Sequence, residues 1–490
     1  MGKVYYLGID AGTTKIKAGL VDQSGQLIGL VSCPVKVNQT QRSWSEINMA
    51  ELWHQLAEIL KELGSQHPDK IRQIAAIGVS GQGDGYWPVN AAGKPVGPAI
   101  LWNDTRAKSL KHFSNPEIDK MCRDNFITPL FPGAMPMILL WQMSHHPDQI
   151  QDTCRILHCK DWINYQLTGV MGSDYSDVSI SLMDVRKGVF VDELLAALGL
   201  KALRDKFPAP VPSSTVIGAV TTEAASQTGL QAGTPVIAGS IDVAAVAMGM
   251  GVYKPGDACT IVGTTLCNEV VLRSSDLIEP MISGGALWHI SNGNILRFMA
   301  TSSGAASLDW VRHEIFCDEP YEKIEERIES IPVGSDHLFF HPYLYGERAP
   351  FNDPFASGGY FGLTANHSRS HLARAAYEGV VFSMLDCYKN LSGHIDRIVV
   401  GGGASKSKVL CQMIADCMGL PIIRPEYEEL GILGMANTMA FALGHSQDFA
   451  LLKVGSQTEF KPDMQRHATY QQLYPIFQQL SDWLKPFWHS

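Results

Sequence analysis

The apolar residues at the start of the chain fall into three short runs, Val4 to Ile9, Lys15 to Val21 and Gln26 to Val31. Asp10-Ala11-Gly12-Thr13-Thr14 separates the first two, and a turn at 22–25 separates the last two. β-rich runs broken by Gly, Asp and Thr predict a β-meander. The plan recurs past the middle of the chain. Ala258 to Val262 runs into Gly263-Thr264-Thr265, and strand-like runs follow at Cys267 to Leu272, Ala286 to Ile290 and Ile295 to Met299. This duplication predicts two related α/β domains, 1–250 and 251–490, divided near Gly251 to Gly256. Apolar residues at helical spacing predict helices over Met49 to Leu63, Ala373 to Leu391 and Ser407 to Met418, the last just after Gly401-Gly402-Gly403. The apolar stretch Val236 to Val252, broken by Asp242 and glycines, reads as a strand and a buried helix, and Thr469 to Trp488 reads as a C-terminal helix packed by aromatics.

Length and charge narrow the class. A chain of 490 residues exceeds what one hydrophobic core supports, which agrees with two domains. The net charge of −10 argues against a nucleic-acid or anionic-membrane partner, since those surfaces reward clustered Lys and Arg. Ten cysteines without CxxC spacing read as reduced, mostly buried thiols. The opening residues lack the basic, apolar and small-residue pattern of a signal peptide, so a cytoplasmic location is the expectation.

Several segments carry chemistry. Asp10-Ala11-Gly12-Thr13-Thr14 combines a carboxylate at a strand end with a turn whose N–H groups and hydroxyls can face phosphate oxygens. Asp10 could hold Mg²⁺; an ordinary hairpin would look similar until Gly263-Thr264-Thr265 repeats the arrangement. Neither GxxxxGK[ST] nor a G-x-G-x-x-G between strand and helix occurs, which removes the P-loop and Rossmann modes. Gly78-Val79-Ser80-Gly81-Gln82 lacks the closing glycine of a hydrolase nucleophile elbow. Asp242, at the end of one apolar run and the opening of another, suits a general base or a helix N-cap. Ser80-Gly81-Gln82-Gly83-Asp84-Gly85 is either a polar turn or a loop that hydrogen-bonds hydroxyls, and Leu101-Trp102-Asn103-Asp104 is a second polar cluster. His337 and His341 lie on a strand-like run where their spacing does not suit a metal, and His145-His146 reads as a solvated loop.

Gly358-Gly359-Tyr360-Phe361-Gly362-Leu363, followed by His371-Leu372-Ala373-Arg374-Ala375-Ala376-Tyr377-Glu378-Gly379, resembles the C-terminal signature of the FGGY carbohydrate kinases, and the similarity runs over nearly the whole chain. The resemblance implies an α/β fold of two ribonuclease H-like domains of the actin and hexokinase type, flanking a central cleft, with ATP and Mg²⁺. It assigns Asp10 to the metal, and Thr13, Thr14 and Lys17 to a phosphate turn. Asp242 becomes the base. Gly263, Thr264, Thr265 and Gly304 fall to the phosphates and ribose, Gly402, Gly403 and Ser407 to adenine, and Gln82, Gly83, Asp84 and Asp104 to the sugar. The chain departs from the pattern at Ile138, where the family's N-terminal signature carries Lys. It departs from xylulokinases at Asp84 and Val243, where they carry His and Asn, and so looks closer to the L-xylulose and erythritol kinases.

Carboxylates at Asp84, Asp104 and Asp242 facing one ligand lead to the expectation of a neutral ketose or alditol of about four or five carbons, xylulose or erythritol ahead of gluconate or a keto-gulonate. The alternatives are a kinase for another alditol or a sugar acid and, from a different class, an actin- or chaperone-like ATPase that grips a protein partner. The latter would share the phosphate turns without needing the Gln82–Asp84 loop. A homodimer is compatible with the sequence.

Overall fold

The computed structural model describes residues 4–39, 41, 43–110, 115–291, 293–391, 393–449 and 456–490. In the first half, strands β1 (Tyr5–Ala11), β2 (Lys15–Asp22) and β3 (Leu27–Pro34) form the antiparallel meander. Strands β4 (Ile74–Gly81), β5 (Val216–Ala219) and β6 (Pro235–Ile237) extend the sheet in the order β5-β6-β4-β1-β2-β3, with the short β7 (Ser240–Ile241) added beside the end of β4. Tyr5 to Ile9 is buried on both faces, as expected of a strand that pairs parallel with β4 at the centre of a covered sheet. Helix α1 (Met49–Gln66) starts where Asn48 Oδ1 accepts from the N–H groups of Ala50 and Glu51, and buries Leu52, Leu56, Leu60 and Leu63 at helical spacing. Helices α2 (Met135–His145), α3 (Cys159–Thr168), α4 (Tyr175–Ser179) and α5 (Asp242–Gly249) complete the part of this half that bears on the site.

The second half repeats the plan. Strands β8 (Asp257–Val262), β9 (Leu266–Arg273), β10 (Gly285–Trp288), β11 (Asn294–Ala300), β12 (Arg397–Gly401), β13 (Ile422–Pro425) and β14 (Gln457–Phe460) order as β10-β11-β9-β8-β12-β13-β14. Again the first strand of an antiparallel run lies inside the sheet and pairs parallel with a much later strand. Around them lie α6 (Ala305–Glu314), α7 (Arg369–Asn390), α8 (Lys408–Met418), α9 (Leu430–Ala442) and α10 (Met464–Trp488). The helices predicted from periodicity are present, with α7 and α10 each beginning a turn or so earlier. His145 closes α2 and stacks on Trp141 at 4.0 Å, where the sequence reading placed a loop.

Helix α9, like α2, α3, α4 and α6, was not predicted from the sequence; Leu430–Ala442 is apolar on every side and has no amphipathic period. It crosses from the second half to the first. A side chain on Gly8 or Gly19 would begin 2.8 and 2.9 Å from Ile432 Cγ2, so the helix lies directly on β1 and β2 through positions that only glycine leaves open. One core is therefore shared by both sheets: Tyr6, Val21 and Ala76 from the first and Cys259, Val271 and Leu296 from the second pack with Ala244, Met248, Ile432 and Met435 between them.

All ten cysteines are free, six of them buried, and no described helix is long and apolar enough to cross a membrane.

Candidate active site

The ends of the parallel strands bring the acidic residues together. In register, Asp10 lies beside Ser80 and Ser80 beside Ser240, so the chain leaves three neighbouring strands at Asp10, Gln82 and Asp242. Carboxyl ends of parallel strands are where open α/β sheets bind ligands. Ser80 Oγ donates to Asp10 Oδ1 at 3.1 Å. Across the β1–β2 pair Asp10 faces Lys17, whose ammonium opposes the upward push of burial on the Asp10 carboxyl.

Asp242 is the first residue of α5 and not its cap, which is Ile241. Its Oδ1 accepts from the Val243 N–H at 2.7 Å. Burial, and then the charge of Asp10, push the half-buried Asp242 carboxyl up to about 7. A group with that pKa is poised to take up a proton near neutrality.

The two Gly-Thr-Thr turns are each closed by the glycine N–H, the first over one residue more than the second. Gly12 N–H donates to Lys15 O and Gly263 N–H to Thr265 O, each at 3.0 Å. The second turn sits on the start of α6: Ala305 N–H donates to Gly263 O and Ala306 N–H to Thr264 O. Gly304 permits this, since a side chain there would begin 2.6 Å from the Thr265 carbonyl carbon. A cavity of about 660 Å³ is lined by Asp10, Lys17, Gly402, Gly403 and Gly431. A second, of about 410 Å³, is lined by Gly263, Thr264, Gly403, Ser407 and Tyr377. They adjoin at Gly403 and Lys406. Gly402 has φ +90°, and a side chain there would begin 2.7 Å from Val262 O. Gly403 faces open space. Ser407 caps α8 through Leu410 N–H. In the larger cavity Lys17 Nζ donates to Glu429 Oε2 at 2.6 Å, joining the two halves, and the N-terminal end of α9 faces Asp10 across Gly431.

The sugar-loop residues divide. Thr13 Oγ1 donates to Gln82 Oε1 at 3.0 Å and accepts from Trp102 Nε1 at 3.1 Å, which brings the exposed Trp102 over the first turn. Gly83 packs against Ile241. Asp84 and Asp104 depart from the expectation of carboxylates facing a ligand. Asp84, in a left-handed turn at φ 57°, accepts from Met135 N–H and Ser181 Oγ, so it acts as the missing cap of α2. Asp104 accepts from Ser45 N–H and pairs with Arg106, which also reaches Glu46 and lies 4.1 Å over the Trp44 ring. A polar residue in a loop gives no hint from sequence that its oxygens will be taken by distant backbone.

The model of the N-terminal domain of the FGGY family of carbohydrate kinases matches residues 5–249, and that of its C-terminal domain matches residues 258–443. The chain belongs to the FGGY family of carbohydrate kinases. It is 29% identical to the L-xylulose/3-keto-L-gulonate kinase of Escherichia coli (strain K12), covering 99% of this chain and 98% of that one. It is 30% identical to a probable L-xylulose kinase of Pasteurella multocida, covering 98% and 99%. Its fold matches the crystal structure of a xyloylose kinase from Brucella ovis with a TM-score of 0.90, at 27% identity and over 99% and 100% of the two chains.

Behind Asp242 this sugar kinase holds a buried charge cluster that the sequence reading missed. Lys160 Nζ lies 2.5 Å from Asp161 Oδ1, 2.9 Å from Asp174 Oδ1 and 3.1 Å from Asp177 Oδ2, all four side chains out of solvent. His158 adds a contact to Asp161. His158, Asp161 and Asp177 are close enough to share a cation, and the Lys160 ammonium already supplies one. In the other half, Glu269 is buried with, among the described residues, only the thiols of Cys259 and Cys267 donating to it, and burial pushes it up to about 7. The spacing of neither group, 158–177 or 259–269, matches a recognised pattern; folding alone assembles them.

Proposed function

We propose that this kinase transfers the γ-phosphoryl group of ATP to a hydroxyl of a small neutral sugar or polyol, a pentulose such as xylulose first, with Asp242 as general base. The position of Asp242 carries the reading: it stands abreast of Asp10 and Gln82, with its carboxyl pushed up to about 7. Asp242 orients the attacking hydroxyl and takes its proton. Thr13, Thr14 and Lys17 on one side, and Gly263, Thr264, Thr265 and Gly304 on the other, hold the phosphates. Gly402, Gly403 and Ser407 line the place of adenine. The adjoining cavities and the open space at Gly403 fit such a ligand, and the Asp10 carboxylate beside the larger one fits Mg²⁺. Asp10 would hold that ion, whose chemistry is to neutralise phosphate charge. Because phosphoryl transfer has a loose transition state, the protein's contribution is alignment and charge. Residues 1–250 and 251–490 act as the two domains that close on the substrates. The relatives named for xylulose, L-xylulose and erythritol, and the acids around Asp242, support a neutral ligand, while the name of the Escherichia coli relative pairs L-xylulose with the acid 3-keto-L-gulonate. Coupled ADP release over a panel of ketoses, alditols and sugar acids tests this: the neutral ketoses should lead, and ATP turnover indifferent to added sugar would refute it.

A further inference from the structure

The three carboxylates around Lys160 are not equivalent. Asp161 also accepts from the His158 N–H and the Ser173 hydroxyl. Asp174 caps α4, taking the N–H groups of Ser176 and Asp177 together with the Ser213 hydroxyl. Asp177 has the ion pair at 3.1 Å, but neither of its oxygens accepts a hydrogen bond, although its side chain is 0% exposed. A buried carboxylate with unused acceptor capacity is costly, and two neighbours already serve to hold the fold.

Its location gives that capacity a direction. Asp177 Oδ1 lies 3.1 Å from the point where a side chain on Gly83 would begin, and the charge of Asp177 is felt at Asp242. Beside Gly83, the Gln82 amide nitrogen is likewise buried without a partner. A carboxylate held only by its ion pair to Lys160, with Oδ1 free of hydrogen bonds, and an unpartnered donor thus flank a loop residue that has no side chain, packs on Ile241 and lies next to Asp242. A hydroxyl, which both donates and accepts, complements that pair.

We propose that Asp177 binds the sugar directly, accepting a hydrogen bond from a substrate hydroxyl while Gln82 Nε2 donates to it or to its neighbour, and that Asp177 is the carboxylate that disfavours sugar acids. This rests on the kinase reading above. It moves the discrimination away from Asp84, whose oxygens are taken by Met135 and Ser181.

The test is steady-state kinetics of Asp177→Asn and Asp177→Ser with the best neutral substrate of the panel and its carboxylated counterpart, alongside ADP binding by calorimetry as a check on folding. KM for the neutral sugar should rise at least tenfold, more than kcat falls. The ratio of specificity constants, acid over neutral, should rise at least tenfold, and ADP affinity should hold. Folded variants whose sugar KM stays within twofold of wild type overturn the proposal. Loss of folding in both variants assigns Asp177 to the fold and overturns it equally. A wild-type protein that turns over no member of the panel refutes the kinase reading instead, before any variant is made.

Discussion

Replacing Asp242 by Asn should slow the enzyme and stabilise it at once. The carboxyl rises from 3.8 to about 7 on folding. Its folded pKa therefore lies above its unfolded one, and ionisation of Asp242 costs stability. The cost is absent below about pH 4, grows between pH 4 and 7, and is constant above that. At about 1.4 kcal/mol per pH unit the ceiling is about 4 kcal/mol, and partial solvent access reduces this to about 1–2 kcal/mol. Asn keeps the shape and removes the charge, so Tm at pH 7.5 should rise by about 1–2 °C, and the gain should fade as the scan buffer is lowered toward pH 4. Turnover should drop by about 10²–10⁴, the scale for losing a positioned base. The pH profile of kcat/KM for the sugar provides a second readout. In the wild type it should climb about tenfold per pH unit up to about 7 and then level, and the Asn variant should lose that inflection. Differential scanning calorimetry and a coupled assay measure both effects. A variant that keeps more than about a third of wild-type turnover, or that melts lower than wild type at pH 7.5, refutes the assignment.

Lys160→Met leaves three buried carboxylates without their cation and should lower stability by about 3–5 kcal/mol, read as a lower urea midpoint. Gly402→Ala forces a side chain toward Val262 O at φ +90°; it should cost about 1–3 kcal/mol and raise KM for ATP more than KM for sugar, measured by two-substrate kinetics. Saturating sugar with a nonhydrolysable ATP analogue should close the two halves about 251–256, visible as a smaller radius of gyration in solution scattering; an unchanged profile counts against that hinge.

Much of this was legible from sequence because it depends on local pattern. The two Gly-Thr-Thr turns and the opening of α5 are each encoded within a dozen residues, the meanders are contiguous in sequence, and the register of β1, β4 and β7 then carries Asp10 and Asp242 to one place. What was not legible depends on long-range packing. Helix α9 has no polar face to betray a period. The partners of Asp84 lie 51 and 97 residues away, so its conversion from a loop acid into a helix cap leaves no local trace. Lys160 shows the same limit: a lysine wholly out of solvent is exceptional, and only the convergence of α3 and α4 makes it tenable.

The crossing of α9 onto the first sheet also sets the order in which the chain can mature. Its first residue leaves the ribosome roughly 350 residues after β4 is complete, which at about 5–20 residues per second is about 20–70 s of synthesis. Through that interval Gly8 and Gly19 on β1 and β2 lack the Ile432 side chain that packs on them. The amino-terminal half is thus a native fold in waiting: its strands can pair as they emerge, but its last apolar layer is delivered by the other end of the message.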